Sequence, residues 1–356
     1  MNRLLFLLVA LSLTLTGFSQ NVILVEKGNV ESLLAAFKEA GQRNNDRDSE
    51  RLFILIPDGY YDLGEKTLTR VTGNNIAVIG QSMEGTIIRN APDKKLEGIS
   101  RTAVLQNRGK GNYYQDLTLK NDLDYYASEP DGRAVCMQDK GLRTVYNRVR
   151  MLSYQDTFYS DNELSQHYFL DSEIHGTIDF ICGAGDVWFE RCRIITEKRS
   201  RDGSGNNIIA APRTSGTKWG YIFNHCTIEN DVSTFYYGRS WHTNPMCVWL
   251  YTKLLTPEKL LTERYDPKGM KVSLCYFKEY GTTDAQGRDI TPKTNVVTFT
   301  LRDDTRPFVS ETIMAREELQ RYKVDNVFKK WHPVKILKTL EKQSLKLKKQ
   351  YFEDEK

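Results

Sequence analysis

The 356-residue sequence has little of what builds a metal or redox centre: five histidines, six cysteines and no Cys-x-x-Cys pair. That inventory gives no support to a structural zinc site. Walker loops and dinucleotide fingerprints are absent, so nucleotide chemistry has no motif behind it. With 24 glycines and 10 prolines the composition excludes collagen-like, mucin-like and wholly disordered chains. No Pro/Gly/Ser-rich linker divides the chain. Charge of one sign is scarce too: 50 Lys+Arg against 46 Asp+Glu leave +4, too little to argue for nucleic acid.

Long hydrophobic runs are also missing after the first residues. Leu4 to Leu15 form one apolar stretch behind Arg3, with small residues Gly17 and Ser19 beyond it. This pattern predicts a signal peptide over 1–19, cleaved between Ser19 and Gln20, and hence a secreted or periplasmic protein. The run is shorter than the ~20 residues a membrane helix needs, so no integral span is expected after cleavage. The six cysteines (136, 182, 192, 226, 247, 275) do not follow a compact disulfide spacing. Disulfides and stacked buried thiols both remain open for an exported chain. Eight lysines against the single acid Glu341 lie between Lys329 and Gln350, so the basic character is concentrated in the tail. That tail reads either as a solvated helix or as a contact for an anionic glycan or membrane surface.

What the chain does have is a 40% hydrophobic fraction, ample for a core. Asn29 to Ala40 predicts one amphipathic helix, with Leu33, Leu34, Phe37 and Ala40 on one face and Gly41 as its stop. From Leu52 to about Thr300 short apolar-alternating runs recur instead. Five of them share an order: an aromatic, a small or apolar residue three later, and an apolar residue two beyond. They are Tyr114–Leu117–Leu119, Tyr146–Val149–Met151, Phe169–Ser172–Ile174, Phe189–Cys192–Ile194 and Phe223–Cys226–Ile228. Their spacing predicts a parallel β-solenoid built of stacked coils. The Asn29 helix would cover one open end, where bare edge strands invite other chains. After Ser310, a plausible N-cap, the sequence predicts a helical extension over 310–356 behind a domain spanning 20–309.

Two segments carry acids in apolar or aromatic settings: Tyr154-Gln-Asp-Thr-Phe-Tyr159 and Gly176-Thr-Ile-Asp-Phe-Ile-Cys-Gly183. Asp156 lies five residues past Met151, and Asp179 five past Ile174. The two acids therefore occupy one position in consecutive coils, where strands lie ~4.8 Å apart. Carboxylates that close resist double ionisation, which suits a nucleophile beside a general acid. The same spacing also suits an Asp ladder that hydrogen-bonds turns.

These segments resemble the signature motifs of pectin methylesterases, carbohydrate esterases that fold as right-handed single-stranded parallel β-helices. The resemblance runs from about Val25 to Thr283 and includes further motifs. Asn75-Ile-Ala-Val-Ile-Gly80 with Gly85-Thr-Ile-Ile88 is similar to the family's early coil. Pro57-Asp-Gly-Tyr-Tyr61 resembles its Gly-x-Tyr element, with Leu63 in place of Glu. Tyr237-Gly-Arg-Ser-Trp241 resembles Leu-Gly-Arg-Pro-Trp.

The resemblance implies an all-β solenoid and hydrolysis of galacturonate methyl esters in pectin, without metal or organic cofactor. It implies Asp179 as nucleophile, Asp156 as general acid and base, Gln155 as oxyanion donor and Arg239 as the residue that orients Asp179. Arg133, Trp241, Phe180 and Tyr159 would meet the sugar chain. The expected protein is a monomer acting on polysaccharide. Arg133 stands where the family has a second oxyanion-donating Gln. It would donate to the oxyanion, bind an acidic group of the substrate, or pair with Asp156 and block proton transfer. The last possibility keeps open a silent glycan-binding solenoid. Another carbohydrate esterase or thioesterase on this scaffold, or a polygalacturonate-cleaving solenoid, whether calcium-dependent lyase or hydrolase, completes the alternatives.

Overall fold

The computed structural model describes residues 21–353, apart from 67, 94, 96–97, 129–131, 215–217, 231–232, 244, 269–275 and 302–303. The segment expected to be a signal peptide, and Cys275, lie outside the described residues. Strand follows strand in parallel, and the expected coils form. One column of the stack runs through Leu52–Ile56, Ile76–Gly80, Tyr113–Asn121, Thr144–Leu152, Gln166–Leu170, Asp186–Glu190, Tyr221–Asn224 and Met246–Leu250. A separate sheet stacks Leu105–Asn107, Met137–Asp139, Phe158–Ser160, Ile178–Gly183, Asn207–Thr214 and Phe235–Gly238. Together they make a parallel β-helix.

The recurrent triplets set its register. Tyr146 pairs with Tyr114 and Phe169, Phe169 with Phe189, and Phe189 with Phe223, while Met151, Ile174, Ile194 and Ile228 align in the same way. A sixth rung, Trp249–Thr252–Leu254, continues the series: Trp249 pairs with Phe223 and Leu254 with Ile228. Identical positions stacked at strand spacing bring the rings face to face. Their centroids lie 4.2 Å apart for Tyr146–Phe169, 4.7 Å for Phe169–Phe189, 4.5 Å for Phe189–Phe223 and 3.8 Å for Phe223–Trp249.

Two residues after each stacked aromatic the chain turns a corner through a left-handed residue. These are Asp116, Arg148, Asp171, Arg191, His225 and Tyr251, with φ between 46° and 53°. Such a conformation is costly for a side chain with a Cβ. Contacts between neighbouring corners offset it: Arg148 Nε reaches Asp116 at 2.6 Å, Arg191 Nη2 reaches Asp171 at 2.8 Å, and His225 stacks on Tyr251 at 4.9 Å.

Phe189 is wholly buried between two such rings. We expect Phe189→Ala to cost about 3–5 kcal/mol, since both the transfer energy and the stacking contacts are lost. A large fall in the urea midpoint of unfolding would register it, and an unchanged midpoint would contradict the stacked-ring account of stability.

The N-terminal helix runs Val30–Arg43, with the Asn29 side chain accepting from the Glu31 and Ser32 amides. Leu33, Ala36, Phe37 and Ala40 enter the core and cover the first coil. Gly41 does not stop this helix. The chain continues to Asn44, and the bare Gly41 Cα lets the last turn close on Thr72, whose hydroxyl would meet an added Cβ at 3.1 Å. At the other end an antiparallel pair, Val296–Leu301 with Asp304–Glu311, brings Val297 and Phe299 into the same core. Ser310 therefore lies inside a strand and is not a helix N-cap; its partner is Val297. The helical signal of the following segment yields only a 3₁₀ turn, Arg316–Arg321, before the short helix Val324–Phe328 and the long Pro333–Phe352.

Cys136, Cys182, Cys192, Cys226 and Cys247 are free, buried thiols. Cys192 and Cys226 occupy the middle position of neighbouring rungs, where a small side chain leaves room at the corner. Among the described residues no helix is long and apolar enough to cross a membrane.

Candidate active site

Asp156 and Asp179 sit at a second corner of successive coils, just ahead of Phe158–Ser160 and inside Ile178–Gly183. Phe158 pairs with Ile181, which sets Asp156 beside Asp179 on adjacent rungs, and the Asp156 amide donates to the Ile178 carbonyl at 3.3 Å. Both acids have positive φ, 58° and 50°. Asp tolerates that region better than most residues, and the turn points each carboxyl off the regular pleat. The ladder beyond breaks register between Ile178 and Ile181, so Asp179 stands on an irregular strand.

Both residues are nearly buried, Asp156 at 6% and Asp179 at 7% exposure. Their surroundings differ. Arg239, just past the strand Phe235–Gly238, is fixed by its own amide, which donates to the Ala210 carbonyl at 2.9 Å. Its Nη2 donates to Asp179 Oδ2. Among the described residues Asp179 Oδ1 has no hydrogen-bond partner, which leaves one oxygen lone pair unengaged. Burial raises the Asp179 carboxyl, and the Arg239 guanidinium opposes it. Asp156 is pushed up to about 8, first by burial and then by the Asp179 charge; Arg133 pulls the other way. Both carboxyls are raised, and the direct Arg239 contact favours the negative charge on Asp179 and the proton on Asp156.

Arg133 lies across the ladder from Gln155, and its Nε stands 3.6 Å from Asp156 Oδ2. It is therefore close enough to act on Asp156, but the distance exceeds a hydrogen bond. Gln155 lines a cleft of about 630 Å³ whose walls include Tyr125, Tyr126, Arg199 and Arg201. Tyr125 stacks on Tyr154 at 4.8 Å and 1°, and Arg199 donates to the Tyr125 hydroxyl.

On the other side of the acids, Tyr159, Cys182 and Ala211 line up outward on successive strands. Cys182 Sγ approaches Asp156 Oδ1 at 3.7 Å, and burial pushes this thiol well above its ordinary range, so it is a packing group and no nucleophile. Trp241 leans on Tyr159, centroids 6.0 Å apart, and the Arg213 guanidinium lies 5.5 Å from the Trp241 ring centre.

Six of the eight residues singled out from sequence thus flank one another: Asp156, Asp179, Gln155, Arg239, Arg133 and, through Cys182, Tyr159. Trp241 joins them by its contact with Tyr159. Phe180 does not. It is wholly buried in the central core, packed where Gly176 has no side chain, and cannot meet a sugar. Adjacent residues of a strand face opposite ways, so an outward Asp179 turns Phe180 inward. Tyr125, Tyr126, Arg199 and Arg213 were not anticipated. The first two lie in an irregular segment and the third just past a strand, outside the repeating triplets. The Tyr125-Tyr126 doublet just ahead of Arg133 was the available signal.

A family model described as Pectinesterase matches residues 21–287, most of the chain. The chain belongs to the pectinesterase family. Among curated relatives, probable pectinesterase/pectinesterase inhibitor 42 of Arabidopsis thaliana is 26% identical over 268 residues, covering 71% of this chain and 47% of its own. The chain spans about half the length of the curated relatives it matches. Pectin methylesterase PemA from Erwinia chrysanthemi superposes with a TM-score of 0.64 at 20% identity, over 89% of this chain and 99% of that one. A pectin methylesterase mutant in complex with hexasaccharide IV gives 0.65 at 21% identity, over 89% and 99%. The pectinesterase match stops short of the pair Val296–Leu301 and Asp304–Glu311 and of everything after it, so the C-terminal helices lie beyond the part shared with the family.

Proposed function

We propose that this chain is a pectin methylesterase: it hydrolyses galacturonate methyl esters in pectin to methanol and free carboxylate. Family membership gives the reaction class. The observation that carries the reading here is the unequal setting of two acids on adjacent rungs: Arg239 donates to Asp179, while burial and the Asp179 charge push the Asp156 carboxyl up.

In this reaction a carboxylate oxygen of Asp179 attacks the ester carbonyl, and the carbonyl electrons move to oxygen. Gln155 and Arg133 face that oxygen and stabilise it. As the intermediate collapses, the C–O bond to methanol breaks and Asp156 gives its proton to the departing oxygen, which would otherwise leave as a strongly basic methoxide. The product is an acyl-enzyme on Asp179 with Asp156 now ionised. Asp156 then takes a proton from water, the hydroxide attacks the acyl carbon, and Asp179 is released as carboxylate. Nucleophile, acid and oxyanion donors are all side chains, so the sequence of steps needs no cofactor. Trp241 and Tyr159 offer an apolar wall to a sugar ring. Export behind a cleaved leader, and action as a monomer, belong to the same proposal.

Arg133 favours one competing reading, a glycan-binding solenoid without turnover, because a guanidinium 3.6 Å from Asp156 stabilises the wrong protonation state. Burial and the Asp179 charge outweigh it, since the Asp156 carboxyl still stays high. Methanol release from highly esterified pectin decides between the two: turnover is expected, and glycan binding without methanol would overturn the esterase reading. Removing the Gln155 amide by Gln155→Ala should lower kcat about 10²–10³-fold, the usual cost of one oxyanion donor, with KM little changed. An unchanged kcat would leave Arg133 as the sole oxyanion donor among these two.

A further inference from the structure

The helix Pro333–Phe352 is anchored on one face and unusually charged on the other. Its inner side, Leu337, Leu340 and Ser344, is buried against the strands Tyr113–Asn121 and Thr144–Leu152. Polar contacts fix its register there: Arg148 Nη1 donates to Glu341 at 2.6 Å, Gln115 Nε2 to Ser344 Oγ at 2.8 Å, and Lys348 Nζ to the Gln81 carbonyl at 2.9 Å. These use the helix's one acid and one of its six lysines. The other five, Lys335, Lys338, Lys342, Lys346 and Lys349, are exposed, and none of them pairs with a carboxylate among the described residues. At 100° per residue they fall within an arc of about 80°, opposite the buried side, and span about 21 Å along the axis. A groove of about 1010 Å³ runs beside them, its walls including Lys335, Lys338, Lys342 and the apolar Val334 and Leu345, with Asp325 at one end.

Five like charges in single file repel one another, and among the described residues no carboxylate pairs with them, although Asp325 and Glu341 line the same groove. We propose that this stripe is a docking site for a linear polyuronate carrying free carboxylates. The proposal rests on the esterase reading to the extent that such a chain is the product that reading makes. A line of cations fits a linear polyanion, and Val334 and Leu345 suit the apolar faces of sugar rings. A membrane fits less well: an interfacial helix needs an apolar face to insert, and this one has spent its apolar face on the sheet. The stripe rides on the first sheet, whereas Asp156 and Asp179 belong to the other. Stretches already de-esterified would hold the protein near those still esterified wherever one chain is long enough to span the two sites.

The test uses the full chain and a purified, fully de-esterified galacturonate oligomer, followed by calorimetric titration. Replacing all five lysines by Gln, which preserves helix propensity, should weaken binding roughly 10- to 100-fold. Methanol release from short esterified oligomers should be unchanged, and wild-type binding should weaken as salt is raised. Equal affinity of wild type and variant, or salt-independent binding, would overturn the proposal. So would tighter lysine-dependent binding to phosphatidylserine vesicles or duplex DNA than to the uronate. Should the fivefold variant fail to fold, the salt series and the triple change Lys335→Gln, Lys338→Gln and Lys342→Gln decide the question by the same two criteria. Lysine-dependent binding by a protein that releases no methanol would sink the esterase reading and leave the docking site standing.

Discussion

Asp179→Asn lowers methanol release from esterified pectin by at least about 10⁴-fold while leaving pectin binding in place, because an amide cannot form the acyl-enzyme. The substitution preserves volume and shape in a site that is 7% exposed, so packing changes little. What it removes is the negative charge to which Arg239 donates, and with it the proposed nucleophile. Pectin binding separates loss of chemistry from loss of fold. Release within tenfold of wild type, in protein that still binds, would mean that the nucleophile is elsewhere.

The second large effect falls on Asp156. Asp156→Asn should lower kcat by about 10²–10⁴, the range for loss of one positioned acid–base group. It should also change the shape of the pH profile. In the proposed mechanism the productive form has Asp156 protonated and Asp179 ionised. Raising the pH through about 8 strips the proton from Asp156, so the rate falls on that limb. Lowering the pH protonates Asp179, whose carboxyl is itself raised by burial, so the rate falls on the acid limb as well. With Asn in place of Asp156 there is no proton to lose, and the residual rate should have no limb near pH 8. Persistence of that limb in the variant would assign it to another group.

The parts of this molecule that repeat were legible in its sequence. Stacked coils demand the same size and polarity at the same position, so Tyr114, Tyr146, Phe169, Phe189 and Phe223 disclosed both the fold and its register. Equal offsets from Met151 and Ile174 placed Asp156 and Asp179 on neighbouring rungs for the same reason. The corners between strands were not legible. What they share is a backbone conformation, and Asp, Arg, His and Tyr all adopt it with local contacts that offset its cost. Phe180, which the resemblance places on the sugar, is instead in the core, because the pleat turns neighbours to opposite faces and Asp179 faces outward. Gly41 misled for a related reason: a glycine ends a helix when it takes positive φ, and this one keeps the helix going so that Thr72 can approach. Tyr125, Tyr126 and Arg199 reach the cleft from segments that repeat nothing, so no comparison among coils could locate them.

The central claim is that two buried acids on adjacent rungs share one proton unequally. Carboxyl carbon chemical shifts of isotopically labelled aspartate, followed against pH and assigned with the two Asn variants, read that directly. The account predicts that at pH 7 Asp179 is ionised and Asp156 protonated, with Asp156 titrating near 8 and shifting downward in Asp179→Asn, where its neighbour's charge is gone. Two carboxylates both ionised at pH 6, or the proton found on Asp179, would contradict it.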